Sequence, residues 1–412
     1  MDVFAFRDEL VAEYERISRS FARIRAEDIS RQVDAAYAAG HFWPAPLIQL
    51  NPNFEPGGYI DDLVADGTLD AECAKVFRLK RGDNTFGERL LLHRHQMDAI
   101  EIARRVESYV LTTGTGSGKS LAYFIPIVDD VLRRKRAGDA CKGITAIVVY
   151  PMNALCNSQR EELEKYLGLG YGDGGEPVTF ARYTGQESRD ERDRIAKNPP
   201  DILLTNYVML ELLMTRFHET DKAIREHAKG LRFLVLDELH TYRGRQGADV
   251  AMLVRRVRER FNERLLCIGT SATMASEGSP GDRNAAVAAI ASRLFGAAVD
   301  PGNVVSETLR PVTDRDACLS GPDLRAAIEQ GVPANPTHQA LAAHPVATWV
   351  ERNLGLEEQG GRLVRILRPL TILQASDRLS ADSGLNVLAA VKNGAYLLVR
   401  NGRFGRLAQI GG

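Results

Sequence analysis

Hydrophobic positions change their period twice along this chain. Phe6, Leu10, Val11, Tyr14, Ile17, Phe21 and Ile24 recur every three or four residues, with arginines and acids between them. That spacing puts them on one helical face and predicts an amphipathic brace over residues 1 to about 40. From Phe42-Trp43-Pro44 through Pro56-Gly57-Gly58, aromatics alternate with prolines and glycines, which reads as an extended, packed connector. After Leu90 the period shortens to apolar runs at 109–111, 144–150, 178–183, 201–204, 233–236 and 265–269. Amphipathic helices fall between these runs; over 248–261, Val250, Leu253, Val254, Val257 and Phe261 make one stripe. Apolar strands alternating with such helices predict an α/β fold with a mainly parallel, doubly wound sheet covered on both faces. Beyond residue 300 the pattern turns mainly helical. Helices are expected over 336–354, 370–379 and 385–399, with a short strand over 362–367. The expected domains are 1–88 (helical extension and connector), 89–305 (nucleotide-binding domain) and 306–412 (accessory region).

Composition narrows the class. The chain has 412 residues, 44% hydrophobic and 26% charged, with a formal net charge of −1. No global basic field advertises nucleic acid, so any such binding has to use a local surface. Cys73, Cys141, Cys156, Cys267 and Cys318 are scattered without metal spacing, which predicts free thiols in a reducing compartment. Residues 1–26 are charged throughout, and no apolar run is long enough for a membrane span. A cytoplasmic protein without a membrane partner is the expectation.

Two stretches carry the chemistry. Thr113-Gly114-Thr115-Gly116-Ser117-Gly118-Lys119-Ser120 follows the first strand and opens a helix, as a phosphate-binding loop does. Lys119 is expected on the β/γ-phosphates and Ser120 on Mg²⁺, although Thr113 stands where the usual pattern has its first glycine. Asp237 and Glu238, in Leu-Asp-Glu-Leu-His, end a buried strand. One carboxylate there can hold the metal and its neighbour can activate water. The expected ligand is Mg-ATP.

Further short segments fall at other strand ends: HRHQ ahead of the loop, then YPMNAL, YTGQ, LLTN and GTSATM. In this order they resemble the Q motif and motifs I, Ia, Ib, Ic, II and III of superfamily-two DExH-box helicases, over roughly residues 90–300. The extension after motif II is similar to that of MrfA-like and Lhr-like bacterial DNA helicases, and phage-defence helicases share the style.

The resemblance implies a RecA-like motor domain in which Gln96 selects adenine and Asp237 coordinates the ion. It further implies that Glu238 activates water, and that His240, Ser271 and Thr273 couple hydrolysis to strand movement. Pro151, Asn153, Gly185 and Thr205 would lie along the nucleic-acid track, with DNA favoured over RNA. Bland readings stand beside these. Gln96 caps its helix, Ser271 and Thr273 satisfy a strand end, and Arg133-Arg134-Lys135-Arg136 complements a helix dipole.

No second αβ series follows residue 300; Asn401-Gly402-Arg403-Phe404-Gly405-Arg406 only echoes the arginine motif of a second motor domain. The chain is therefore expected to be the N-terminal motor half of a longer helicase or translocase, its missing arginines supplied by a second RecA-like domain or a partner subunit. The alternatives are a nucleotide-switched DNA-binding scaffold in a defence or repair complex, and a restriction-type duplex translocase.

Overall fold

The computed structural model describes residues 3–21, 24–81, 84–114, 116–138, 143–171, 175–272, 279–314, 319–331, 337–359, 361–366 and 368–385. Contacts divide the chain into two compact units, residues 54–307 and residues 1–53 with 308–412.

The larger unit is built on a seven-stranded parallel sheet. Its strands are β1 (Tyr109–Thr112), β2 (Ala146–Tyr150), β3 (Phe180–Tyr183), β4 (Ile202–Asn206), β5 (Phe233–Leu236), β6 (Leu266–Ser271) and β7 (Val304–Ser306). They lie in the order β7-β1-β6-β5-β2-β4-β3. The first six are the expected strands; β7, only three residues long, carried too little pattern to be expected.

Strand alternation sends side chains to opposite faces, and here both faces are apolar. Tyr109, Leu111, Ala146, Val148, Tyr150, Phe233 and Val235 enter one core, whereas Val110, Ile147, Val149, Leu234 and Leu236 enter the other. Helices Arg94–Arg104 and Lys119–Arg136 cover the first face, and Gly244–Phe261 and Pro280–Phe295 cover the second.

Pro126 lies inside helix Lys119–Arg136, where it cannot donate to the carbonyl of Ala122. The hydroxyl of Tyr109 fills that vacancy, donating to Ala122 O at 2.8 Å.

The boundary expected at residue 88 lies inside this unit. Ile60, Leu63, Cys73, Val76 and Phe77 are buried in the same core as the helix that follows the glycine-rich loop.

The basic run at the end of helix Lys119–Arg136 is a set of fasteners. Arg133 holds Asp129 and the carbonyls of Gly67 and Thr68, and Arg134 donates to Thr145 Oγ1. Lys135 bonds Asp201 and Pro177 O, and Arg136 bonds Asp70.

The smaller unit has its own core. Leu324, Trp349, Val350, Leu354, Ile372, Ala375 and Leu379 pack together, and Trp349 Nε1 donates to Asp382 at 2.7 Å. Leu47–Ile48 pairs antiparallel with Leu370–Thr371, so the segment expected as a connector is tied to the accessory region. The N-terminal brace is two helices, Val3–Ser20 and Glu27–Ala38. The run expected as one helix over 336–354 is also two, His338–Ala342 and Pro345–Leu354, because Pro345 opens a new helix. The strand expected over 362–367 forms a hairpin, Arg362–Arg365 against Leu356–Gln359. The expected helix over 385–399 and the arginine echo at 401–406 fall almost wholly outside the described residues.

Candidate nucleotide site and strand groove

The site forms where β1, β5 and β6 end, as is general for ligands of open parallel sheets. After β1 the chain turns through Gly116 (φ 77°) and Gly118 (φ 70°), both left-handed, into helix Lys119–Arg136. Alternation of this kind makes successive N–H groups converge on one point. A Cβ on Gly116 would meet nothing within 4 Å, so that side of the loop is open. Thr113 Oγ1 and Ser117 Oγ, both buried, are 2.7 Å apart and brace the turn from inside. Thr113 thus supplies a side-chain tie where the usual pattern has glycine. Lys119 Nζ donates to Thr113 O at 3.1 Å, folded across the loop. Gly114 N–H donates to Glu307 at 3.0 Å, from just beyond β7. Thr115 lies outside the described residues.

Gln96 is 2% exposed, and its amide is engaged within the protein. Its Oε1 accepts from His93 N–H at 2.8 Å, completing a capping box, and its Nε2 donates to Gly118 O at 2.8 Å. The cap expected as the bland reading is real. The loop contact is an addition the sequence did not reveal.

At the end of β5, Asp237 and Glu238 sit against β6. Thr270 Oγ1 donates to Asp237 Oδ1 and accepts from Glu238 N–H at 3.0 Å. Burial raises the Asp237 carboxyl to about 6; the neighbouring Glu238 charge adds to this, while Thr270 and Lys119 oppose it. Glu238 has φ 52° and ψ 57°, a left-handed conformation that costs a non-glycine residue about 1–3 kcal/mol. That conformation turns its carboxylate toward His240, whose Nδ1 lies 3.1 Å away. The same Nδ1 is 3.3 Å from Ser271 Oγ. Glu238 Oε2 itself makes no hydrogen bond, so its approach to the ring is one of proximity, while Nδ1 and the Ser271 hydroxyl share a hydrogen bond. Glu238, His240 and Ser271 thus lie side by side at the ends of β5 and β6, with the histidine hydrogen-bonded to Ser271.

Thr270, which holds Asp237 and the Glu238 backbone, is the residue that sequence reasoning passed over in favour of its neighbours Ser271 and Thr273. Its signal was its place one residue before Ser271, on the opposite face of β6. Thr273 lies outside the described residues.

A divalent ion beside Asp237 would offset the burial that raises its carboxyl. Among the described residues no group of three or more His, Cys, Asp or Glu forms a metal cage. Mg²⁺ suits such a place, since it is commonly held by one or two protein oxygens together with substrate phosphates.

The strand-side candidates converge on β2, β3 and β4. Pro151, Asn153 and Gly185 line one groove of about 470 Å³ with Met152, Arg192 and Arg216 among its other walls. Thr205 is buried beneath, its hydroxyl donating to Tyr183 O at 2.6 Å. It supports the groove rather than lining it. Asn206 ties the walls together, donating to Asn153 Oδ1 at 2.7 Å and to Thr184 O at 3.2 Å. Glu187 is only 6% exposed. Burial opposes its charge, but hydrogen bonds from Thr184 and Gly185 outweigh it and hold the carboxyl low. It thereby shapes the turn containing Gly185.

Cys73, Cys156 and Cys267 are buried free thiols; Cys141 and Cys318 lie outside the described residues. No helix among the described residues is long and apolar enough to cross a membrane.

Comparison with known proteins agrees with this geometry. The family model for the DEAD/DEAH box helicase matches residues 93–279. The Druantia protein DruE of Escherichia coli (strain UMEA 4076-1) is 26% identical, over 56% of this chain and 18% of that protein. The uncharacterized ATP-dependent helicase YprA of Bacillus subtilis (strain 168) is 30% identical, over 47% of this chain and 24% of that one. The chain thus spans about a fifth of the length of these curated relatives. Among solved structures, the DEAD-box helicase Mss116 bound to ssRNA and UDP-BeF superposes with a TM-score of 0.50 at 18% identity, covering 68% of this chain and 53% of that one, which is a likeness of fold. Strands β1 to β6 of the parallel sheet, the loop of Thr113–Ser120 and the Asp237-Glu238 strand end thus lie together in the stretch, residues 93–279, that matches the DEAD/DEAH box helicase model.

Proposed function

We propose that residues 54–307 are the first motor domain of an ATP-dependent DExH-box helicase or translocase acting on nucleic acid, with DNA as its strand. In this reading the accessory region at 308–412 precedes a second RecA-like domain in a longer chain or partner subunit. The observation that carries it is the placement of His240, 3.1 Å from the Glu238 carboxylate and hydrogen-bonded to Ser271 at the end of β6.

Lys119 would exchange Thr113 O for the phosphates, while Ser120 and Asp237 would hold Mg²⁺. Together, bound ATP and Mg²⁺ supply the scissile phosphoanhydride and neutralise its charge. Glu238 would orient the attacking water and take its proton. His240 and Ser271 would pass the resulting shift to β6, with Thr273 close by in sequence. Pro151, Asn153 and Gly185 would meet strand phosphates through small groups and backbone, which suits movement over any sequence.

The test is ATP turnover by this chain, with and without single-stranded DNA, beside direct nucleotide binding. Binding with slow, DNA-insensitive turnover fits a motor half awaiting its second domain. Absence of binding would overturn the reading.

A further inference from the structure

We infer that His95 is a positioning residue for the nucleotide site: it aims the Gly118 N–H at the phosphate chain by holding the other end of the same peptide. The inference rests on the nucleotide-binding reading above and adds a residue to it.

A trans peptide is planar, with its C=O and N–H on opposite sides. Ser117 O and Gly118 N–H share one peptide, and Gly118 O and Lys119 N–H share the next. His95 Nε2 lies 2.9 Å from Ser117 O, and Gln96 Nε2 donates to Gly118 O at 2.8 Å. Both carbonyls are thus drawn toward helix Arg94–Arg104. The two N–H groups must then face the other way, toward the open side of the loop. Consecutive side chains on one helix fix consecutive peptides of the loop.

The imidazole is committed to this contact. A carbonyl oxygen accepts only, so Nε2 carries the proton. His95 is fully buried, and its Nδ1 has no hydrogen-bond partner. Phe54 packs edge-on at 5.5 Å and His93 stacks at 5.5 Å, so the ring cannot swing away. Were packing alone required, leucine or phenylalanine would fill this place without an unpartnered buried nitrogen. Burial lowers the His95 pKa, in keeping with a neutral ring that donates from one nitrogen.

Three variants separate this role from simple packing. In His95→Gln the terminal amide reaches about as far as Nε2 and can still donate to Ser117 O. In His95→Asn the amide is too short, and His95→Phe keeps the aromatic packing without a donor. The measurement is the affinity of the 412-residue chain for a fluorescent Mg-ATP analogue, beside the melting temperature without nucleotide. The expected result is affinity within threefold of wild type for His95→Gln and about tenfold weaker for His95→Asn and His95→Phe, the scale of one hydrogen bond to a charged group. Asn and Gln behaving alike, or Phe binding as wild type does, would overturn the inference. If Phe fails to fold, the Asn–Gln contrast decides. A wild-type chain that binds no nucleotide would overturn the site reading itself, and this inference with it.

Discussion

Asp237 is held in the folded protein at an electrostatic cost that can be measured. Burial raises its carboxyl to about 6, against an ordinary value of 3.8. In the unfolded chain the group returns to its ordinary value. Between about pH 4 and 6 the folded state therefore keeps a proton that the unfolded state has lost. Stability falls as pH rises through that window and stays lost above it. The gap corresponds to about 3 kcal/mol. Asp237→Asn removes the charge, preserves the shape and leaves an oxygen for the Thr270 hydroxyl. Without nucleotide, the Asn variant should be more stable than wild type by about 2–3 kcal/mol at pH 8, with the difference shrinking toward zero near pH 4. ATP turnover should be lost at every pH. Urea unfolding followed by far-ultraviolet circular dichroism, from pH 4.5 to 8, provides the comparison. An Asn variant no more stable than wild type at pH 8, or a pH-independent difference, would refute the reasoning.

Glu238→Gln should bind ATP within a few-fold of wild type and lose at least about 100-fold in single-turnover hydrolysis, since it removes only the base. On the motor reading proposed above, Ser271→Ala should lower strand displacement per ATP hydrolysed more than it lowers hydrolysis; an equal fall in both would count against the His240–Ser271 contact. Gly118→Ala places a Cβ 2.6 Å from Gln96 Nε2 at a residue with φ 70°. It should cost about 1–3 kcal/mol in thermal unfolding and weaken nucleotide binding as well. Arg133→Ala combined with Arg136→Ala should lower the melting temperature yet leave DNA affinity within twofold, because these side chains are engaged by Asp129, Asp70 and backbone carbonyls.

The sequence determined what is local or periodic. Six strands of the sheet, the helix that opens at Lys119 and the carboxylates at the end of β5 were all legible. Runs such as Ala146–Tyr150 state their own burial, and glycines at Gly116 and Gly118 state their own backbone angles. Tertiary structure decided the contacts between residues far apart in the chain. Thr270 reaches Asp237, Glu307 reaches Gly114, and Leu47–Ile48 pairs with Leu370–Thr371, all through sheet order and packing that no local pattern encodes. The basic run of Arg133–Arg136 shows the same limit. Its charge is written in the sequence, but whether a charge faces DNA or a buried aspartate depends on what the fold brings beside it. The same holds for Gln96 and His95. Their donors are evident from residue type, and only three-dimensional packing aims them at two consecutive carbonyls of the loop.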